Sequence, residues 1–69
     1  MTIIERLSRA IKGDRFNYEK YLGGGMWNGH YVQTMPLFCS YGQIGFTATI
    51  DHHDEISYDW ELKELSINP

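Results

Sequence analysis

The chain has little that ties it to an oxidising compartment or to a membrane. Cys39 is its only cysteine, so an internal disulfide is excluded. No stretch approaches the roughly 20 apolar residues that span a bilayer, and Glu5 and Arg6 stand where a signal peptide requires an apolar run. These features predict a cytoplasmic protein that is neither secreted nor embedded in a membrane.

Signatures of catalysis, metal binding and cofactor binding are also missing. His52 and His53 are metal-competent, but a closed metal site needs further ligands, and the only other soft donors are His30 and Cys39. No glycine-flanked nucleophile is present, and the glycine triplet 23–25 is not followed by the Lys-Ser/Thr of a phosphate-binding loop. We therefore predict that the protein is not an enzyme and has no catalytic residue, metal or cofactor.

The chain is long enough for one domain, which we place at residues 1–69. Hydrophobic side chains make up 42% of the residues and aromatic ones 14%, a composition that excludes an intrinsically disordered polymer. A chain of this length buries only about 60% of the surface of its unfolded form. The core therefore depends on its aromatic side chains, and the remaining apolar surface leaves a homodimer open.

Charge is divided unequally along the chain. Residues 1–20 hold five cations and three carboxylates, a net charge of +2, whereas residues 51–64 hold six carboxylates and one lysine, a net charge of −5. The basic residues near the first helix are Arg6, Arg9, Lys12 and Arg15. The acids among them and the overall charge of −3 weigh against direct binding of nucleic acid, so we predict a solvated helix face.

The first element is predicted by several agreeing signals. Thr2 and Glu5 fit a capping box, in which the threonine oxygen accepts a backbone N–H of the first turn and the glutamate reaches back to the N-cap. Apolar residues then recur at helical spacing, and Gly13 is a natural stop because glycine tolerates the left-handed conformation that ends helices. We predict a helix over residues 3–12.

The middle of the chain gives mixed signals. Residues 14–22 suit either a strand or a short helix capped by Asp14, and the helix is slightly favoured. The glycine triplet that follows is interpreted as a flexible connector or a loop that contacts a partner. Asn28-Gly29 is the dipeptide preferred in two-residue hairpin turns, and residues 30–35 are predicted to form the outgoing strand.

The last third of the chain alternates apolar and polar residues in two runs. The pattern predicts a strand over 44–50 and a return strand over 56–62, with Tyr58 and Trp60 facing inward. Residues 65–67 change parity, which predicts a bulge, a bend or a frayed tail. The predicted fold class is α+β, with the N-terminal helix packed on a small antiparallel sheet of three to four strands that includes the hairpin 44–50/56–62.

The predicted function rests on the acidic side of that hairpin. With apolar side chains inward, Asp59 and Glu61 face outward about 6–7 Å apart, a spacing that resembles successive phosphates of a nucleic-acid strand. Such a row suits a basic groove that normally holds nucleic acid. Trp27 and Tyr31, beside the Asn-Gly turn, are either core residues or exposed anchors of an interface. The predicted partner-binding residues are Asp51, Asp54, Glu55, Asp59, Glu61, Glu64, Trp27 and Tyr31.

We therefore expect a small non-enzymatic acidic binding protein that docks on a basic surface of a partner protein. The expected partner is a nuclease or another nucleic-acid-binding complex, such as a CRISPR effector, which proteins of phages or mobile elements inhibit in this way. Direct binding of nucleic acid or of a membrane is not expected. The alternative is a structural or regulatory homo-oligomer formed through the aromatic-rich sheet, with charges that only maintain solubility.

Overall fold

Two short helical elements precede five strands in a computed structural model that describes residues 1–68. Helix α1 spans Ile3–Lys12, and a single 3₁₀ turn spans Tyr18–Tyr21. The strands are β1 Gly25–Trp27, β2 His30–Cys39, β3 Gly42–Ile50, β4 Asp54–Asp59 and β5 Glu64–Asn68. Each strand pairs antiparallel with the next, so the sheet is a meander in the order β1-β2-β3-β4-β5.

The predicted α+β class is confirmed, but the sheet has five strands rather than three to four. The strands β3 and β4 form the predicted hairpin, with Thr47 opposite Ser57. The prediction that the return strand runs through residue 62 is wrong, because β4 stops at Asp59. Residues 65–67, predicted as a bulge, a bend or a frayed tail, lie in the fifth strand, which pairs with β4.

An aspartate turn accounts for the early end of β4. The carboxylate of Asp59 accepts hydrogen bonds from the backbone N–H groups of Glu61 and Leu62, at 2.9 and 3.0 Å, and so reverses the chain. Trp60 and Leu62 are therefore exposed, whereas a continuing strand would have turned them inward. The Trp60 ring remains near the core, with its centroid 5.9 Å from that of Tyr18.

Helix α1 has the predicted bounds and the predicted cap. Thr2 Oγ1 accepts the backbone N–H of Glu5 at 3.2 Å, and the Glu5 carboxylate accepts the backbone N–H of Thr2 at 3.3 Å. Gly13 follows the last helical residue as the C-cap, but it is not left-handed, because its φ is −84°. The left-handed residue is the next one, Asp14, with a φ of 56°. Within residues 1–68 no helix has both the length and the apolar character needed to cross a bilayer.

Residues 14–22 contain a short helix, as was slightly favoured, but it is a single 3₁₀ turn and not an α-helix. The 3₁₀ turn Tyr18–Tyr21 is capped by Asn17, whose side-chain oxygen accepts the backbone N–H of Glu19 at 3.1 Å, rather than by Asp14. This turn places its first tyrosine ring on that of Phe46, with centroids 4.9 Å apart. The segment therefore contributes aromatic packing rather than a long regular element.

The sheet has one covered face and one open face. Helix α1 and the aromatic residues after it pack on the covered face. The buried side chains of the strands there are Val32, Thr34, Phe46, Ala48, Ile50 and Ile56. The other buried side chains of the core are Leu7, Ile11, Phe16 and Tyr21. The opposite side of the sheet, called the outer face below, carries no helix within residues 1–68.

Candidate functional site

The candidate site is the outer face, whose residues follow from the strand register. Directly paired residues point to the same side of a sheet and alternate residues share that side, so the pairings assign each side chain to a face. The outer face has an apolar half on β1 and β2 and an acidic half on β4 and β5, separated by threonines of β3. In the apolar half the apolar residues are Met26, Tyr31, Met35 and Leu37, with the exposed polar Gln33 among them, and the acids of the acidic half are Glu55, Asp59 and Glu64.

The acidic half places two carboxylates directly across from each other. Asp59 is the register partner of Glu64, so their Cβ atoms lie about 5 Å apart, while Glu55 lies about 13 Å away along β4. Like charges in this arrangement destabilise a sheet. The two backbone N–H groups bound by Asp59 offset part of that cost, whereas Glu64 forms no ion pair within residues 1–68.

The basic residues of the chain do not neutralise the acidic half. Among residues 1–68 no lysine or arginine forms an ion pair with a carboxylate. Apart from Lys63 in the turn after β4, the cations belong to α1 and to the segment that follows it, on the covered side of the sheet. The carboxylates of the acidic half are therefore available to cations of a partner.

The apolar half exposes two flexible side chains. Met26 is 64% exposed and Met35 is 62% exposed. Tyr31 is half-buried and stacks on His52, with ring centroids 4.9 Å apart. Its hydroxyl lies 1.9 Å from the position of a Cβ at Gly24, where φ is +89°, so only glycine fits there. Methionine and aromatic side chains are enriched at protein interfaces, and methionine adapts to varied surfaces, so this half is suited to contact with a protein.

Trp27 belongs to the covered face and contributes to the core. Its half-buried ring meets the ring of Phe16 edge-on at 6.2 Å. The turn that follows is the predicted hairpin turn, with φ of 49° at Asn28 and 81° at Gly29. Because Trp27 points inward, its neighbour Met26 points outward, and this alternation is the signal that sequence reasoning missed.

At one end of the sheet Asp51 joins two turns. Its Oδ2 lies 2.6 Å from Nδ1 of His30, and its Oδ1 accepts the backbone N–H of Tyr31 at 3.0 Å. The hydrogen bond with His30, followed by that from the Tyr31 amide, lowers the pKa of the Asp51 carboxyl. Asp51 therefore has a structural role. Within residues 1–68 no group of three or more His, Cys, Asp or Glu side chains is arranged to hold a metal ion.

We expect Asp51→Asn to reduce stability at neutral pH and to have a smaller effect in acid. Asparagine tolerates the left-handed φ of 51° found at this position, so the turn is retained while the charge is lost. The lowered pKa means that the contribution of Asp51 is complete above its unfolded value of about 3.9 and is lost as pH falls through the folded value. Urea unfolding at several pH values checks this, and a difference from the wild type that stays constant down to about pH 2 would contradict it.

At the other end of the sheet Glu61 is engaged by Tyr41. The Tyr41 hydroxyl donates to Glu61 Oε2 at 2.9 Å. This bond, together with the nearby thiol of Cys39, raises the pKa of Tyr41 to about 12. Glu61 lies in a turn and not on a strand, so the prediction that Asp59 and Glu61 form a row of carboxylates about 6–7 Å apart is wrong. On the outer face of β4, Ser57 lies between the two acids Glu55 and Asp59.

The eight predicted partner-binding residues do not form one cluster. Those on the outer face are Glu55, Asp59, Glu64 and Tyr31. Those elsewhere are Asp51, Asp54, Glu61 and Trp27. Trp27, predicted as either a core residue or an exposed anchor, packs against the core, and the exposed apolar side chains of the outer face are instead Met26 and Met35.

Comparison with known proteins adds no further assignment. No protein-family model matches the chain, and no curated protein or solved structure matches it either. The interpretation of the outer face therefore rests on its own geometry and charge.

Proposed function

We propose that this chain is a small non-enzymatic binding protein whose outer face docks on a basic surface of a partner protein. The acidic half would supply charge-assisted hydrogen bonds to lysine and arginine, and the apolar half would supply buried contact area. The threonines between the two halves, Thr47 and Thr49, are half-buried and add hydrogen-bonding groups at the centre.

One observation carries this proposal: Asp59 and Glu64 lie opposite each other on the outer face with no cation of the chain bound to either. A single substitution would remove this unfavourable pair at little cost to packing, since Glu64 is exposed. Local features that work against stability are expected where a protein binds something. A partner cation placed between the two carboxylates would turn the repulsion into attraction.

The proposed partner is a nucleic-acid-handling enzyme, namely a nuclease or a CRISPR effector complex of the kind that phage proteins inhibit. Such enzymes have basic grooves, and an acidic face that occupies the groove excludes the nucleic acid. Support comes from the separation of charge across the sheet. The cations on the covered side do not neutralise the carboxylates that would enter the basic groove of the enzyme.

We expect a partner that binds the outer face to be released by salt. The immobilised protein is incubated with extract of its source cells, and retained proteins are eluted as salt rises from about 50 to about 500 mM, over which the Debye length falls by about threefold. A basic nucleic-acid-binding protein that elutes within this range is the expected result. If all the retained proteins stayed bound throughout the rise in salt, electrostatic docking would be contradicted.

The alternative, a homo-oligomer formed through the aromatic-rich sheet, is weakened by the position of the aromatic rings. Phe16, Tyr18, Phe46 and Tyr58 pack against one another on the covered side, and the outer face retains Tyr31. Self-association through that face would also bring two acidic halves near each other unless the copies are offset. In the same preparation, light scattering that shows a concentration-independent dimer would favour this alternative over docking.

A further inference from the structure

A second surface with the opposite charge lies between α1 and the edge strand β5. It is a groove of about 730 Å³. Arg9, Lys12 and Arg15 form its basic wall, and Leu65 and Ile67 form its apolar wall. None of these side chains belongs to the outer face.

The basic wall concentrates three cations that have no internal partner. Within residues 1–68 none of Arg9, Lys12 and Arg15 forms an ion pair. Gly13 brings Arg15 close to the helix end, because the Arg15 Nε lies only 3.2 Å from the position that a Cβ would occupy there. The one carboxylate in the lining, Glu5, already accepts the N-cap hydrogen bonds of α1. The groove therefore attracts carboxylates.

Strand β5 presents an open edge to the same groove. It pairs with β4 on one side, and within residues 1–68 no strand pairs with its other side. Backbone N–H and C=O groups along such an edge are free to pair with an added strand. Ile67 is 54% exposed and Leu65 is half-buried, so an added strand would also cover apolar surface.

We infer that this groove binds an extended acidic peptide, which adds to β5 as a further strand. Alternate side chains of an extended peptide leave the backbone on the same side, about 6–7 Å apart. The Cβ atoms of Arg9 and Lys12 have a similar spacing of about 5–6 Å, because these residues are three positions apart on α1. Glutamates at alternate positions therefore reach successive cations. Their methylene groups cover Leu65 and Ile67 on the way.

A second copy of the chain fits this groove less well than an acidic peptide does. Pairing β5 with β5 of another copy would bring two sets of groove cations together, and like charges across an interface are unfavourable. The acidic strand β4 is paired on both sides, with β3 and with β5, and so cannot add to the groove of a neighbour. The inference is independent of docking through the outer face, since the two surfaces share no side chain.

The test is fluorescence anisotropy with a labelled hexapeptide of alternating glutamate and valine. We expect saturable binding to the wild type, and a loss of affinity of at least about tenfold for Arg9→Glu combined with Lys12→Glu. Arg6→Glu is the control for each single substitution, because it changes the net charge by the same amount and Arg6 is on the same helix but does not line the groove. Its affinity is expected to stay within about twofold of the wild type.

A peptide methylated on alternate backbone nitrogens separates strand addition from simple charge attraction. It keeps the carboxylates but loses the N–H groups that pair with an edge, and its affinity for the unaltered protein is expected to fall by at least about tenfold. Equal binding of the methylated and unmethylated peptides would overturn the inference. So would equal binding of a peptide with lysine in place of glutamate, or tighter binding of a thymidine hexanucleotide.

Discussion

Replacing Phe46 with alanine is expected to leave most of the protein unfolded at room temperature. Phe46 is only 4% exposed, and its ring lies 4.9 Å from Tyr18, 5.9 Å from Phe16 and 6.0 Å from Tyr58, centroid to centroid. Truncation of a buried phenylalanine costs about 3–5 kcal/mol. A core in a chain of this size supplies about the same free energy of folding, so little would remain. Near-UV circular dichroism and urea unfolding measure the loss.

Phe38→Ala is the matched control for Phe46→Ala, because it removes the same atoms from a side chain that is 66% exposed. We expect its free energy of unfolding to stay within about 0.5 kcal/mol of the wild type. If the two variants unfolded at similar urea concentrations, the aromatic cluster around Phe46 would not be the main source of stability.

Elements that depend on neighbouring residues were predictable from the sequence. The capping box of Thr2 and Glu5 and the Asn-Gly turn each involve contacts within a few residues, and both are confirmed. The end of β4 was not predictable, because apolar and polar residues continue to alternate through Leu62. Alternation describes which side chains are apolar, and it does not show that Asp59 binds the backbone of the next turn.

The candidate site was predictable in charge but not in geometry. The concentration of acids in residues 51–64 is visible in the sequence, yet the register of β4 and β5 decides which of them share a face. Asp51 and Glu61 are engaged by His30 and Tyr41, which are 21 and 20 residues away in the chain. No local pattern specifies contacts at that separation. The sequence alone therefore could not distinguish these two acids from the carboxylates of the outer face.

Reversing the charge of Glu55 and Glu64 together is expected to lower affinity for the basic partner by on the order of 100-fold, as two repulsions each worth about tenfold would do. Glu64 has no ion pair within residues 1–68, and Glu55 accepts only a long hydrogen bond of 3.4 Å from Asn68. The fold should therefore be retained. Lysine opposite Asp59 also removes the like-charge pair, so we expect stability to stay equal or to rise by up to about 1 kcal/mol.

The control for charge reversal compares Glu64→Lys with Glu19→Lys, since both change the net charge equally. Glu19 lies in the 3₁₀ turn, away from the outer face. Calorimetric titration with the partner is expected to show a loss of about tenfold for Glu64→Lys and less than about twofold for Glu19→Lys. Equal losses would mean that only net charge matters, which would remove the case for a docking surface. We expect Glu64→Lys to weaken binding while stability stays unchanged or rises. A purely structural role for Glu64 does not produce this result, because substitution of a structural residue lowers affinity and stability together.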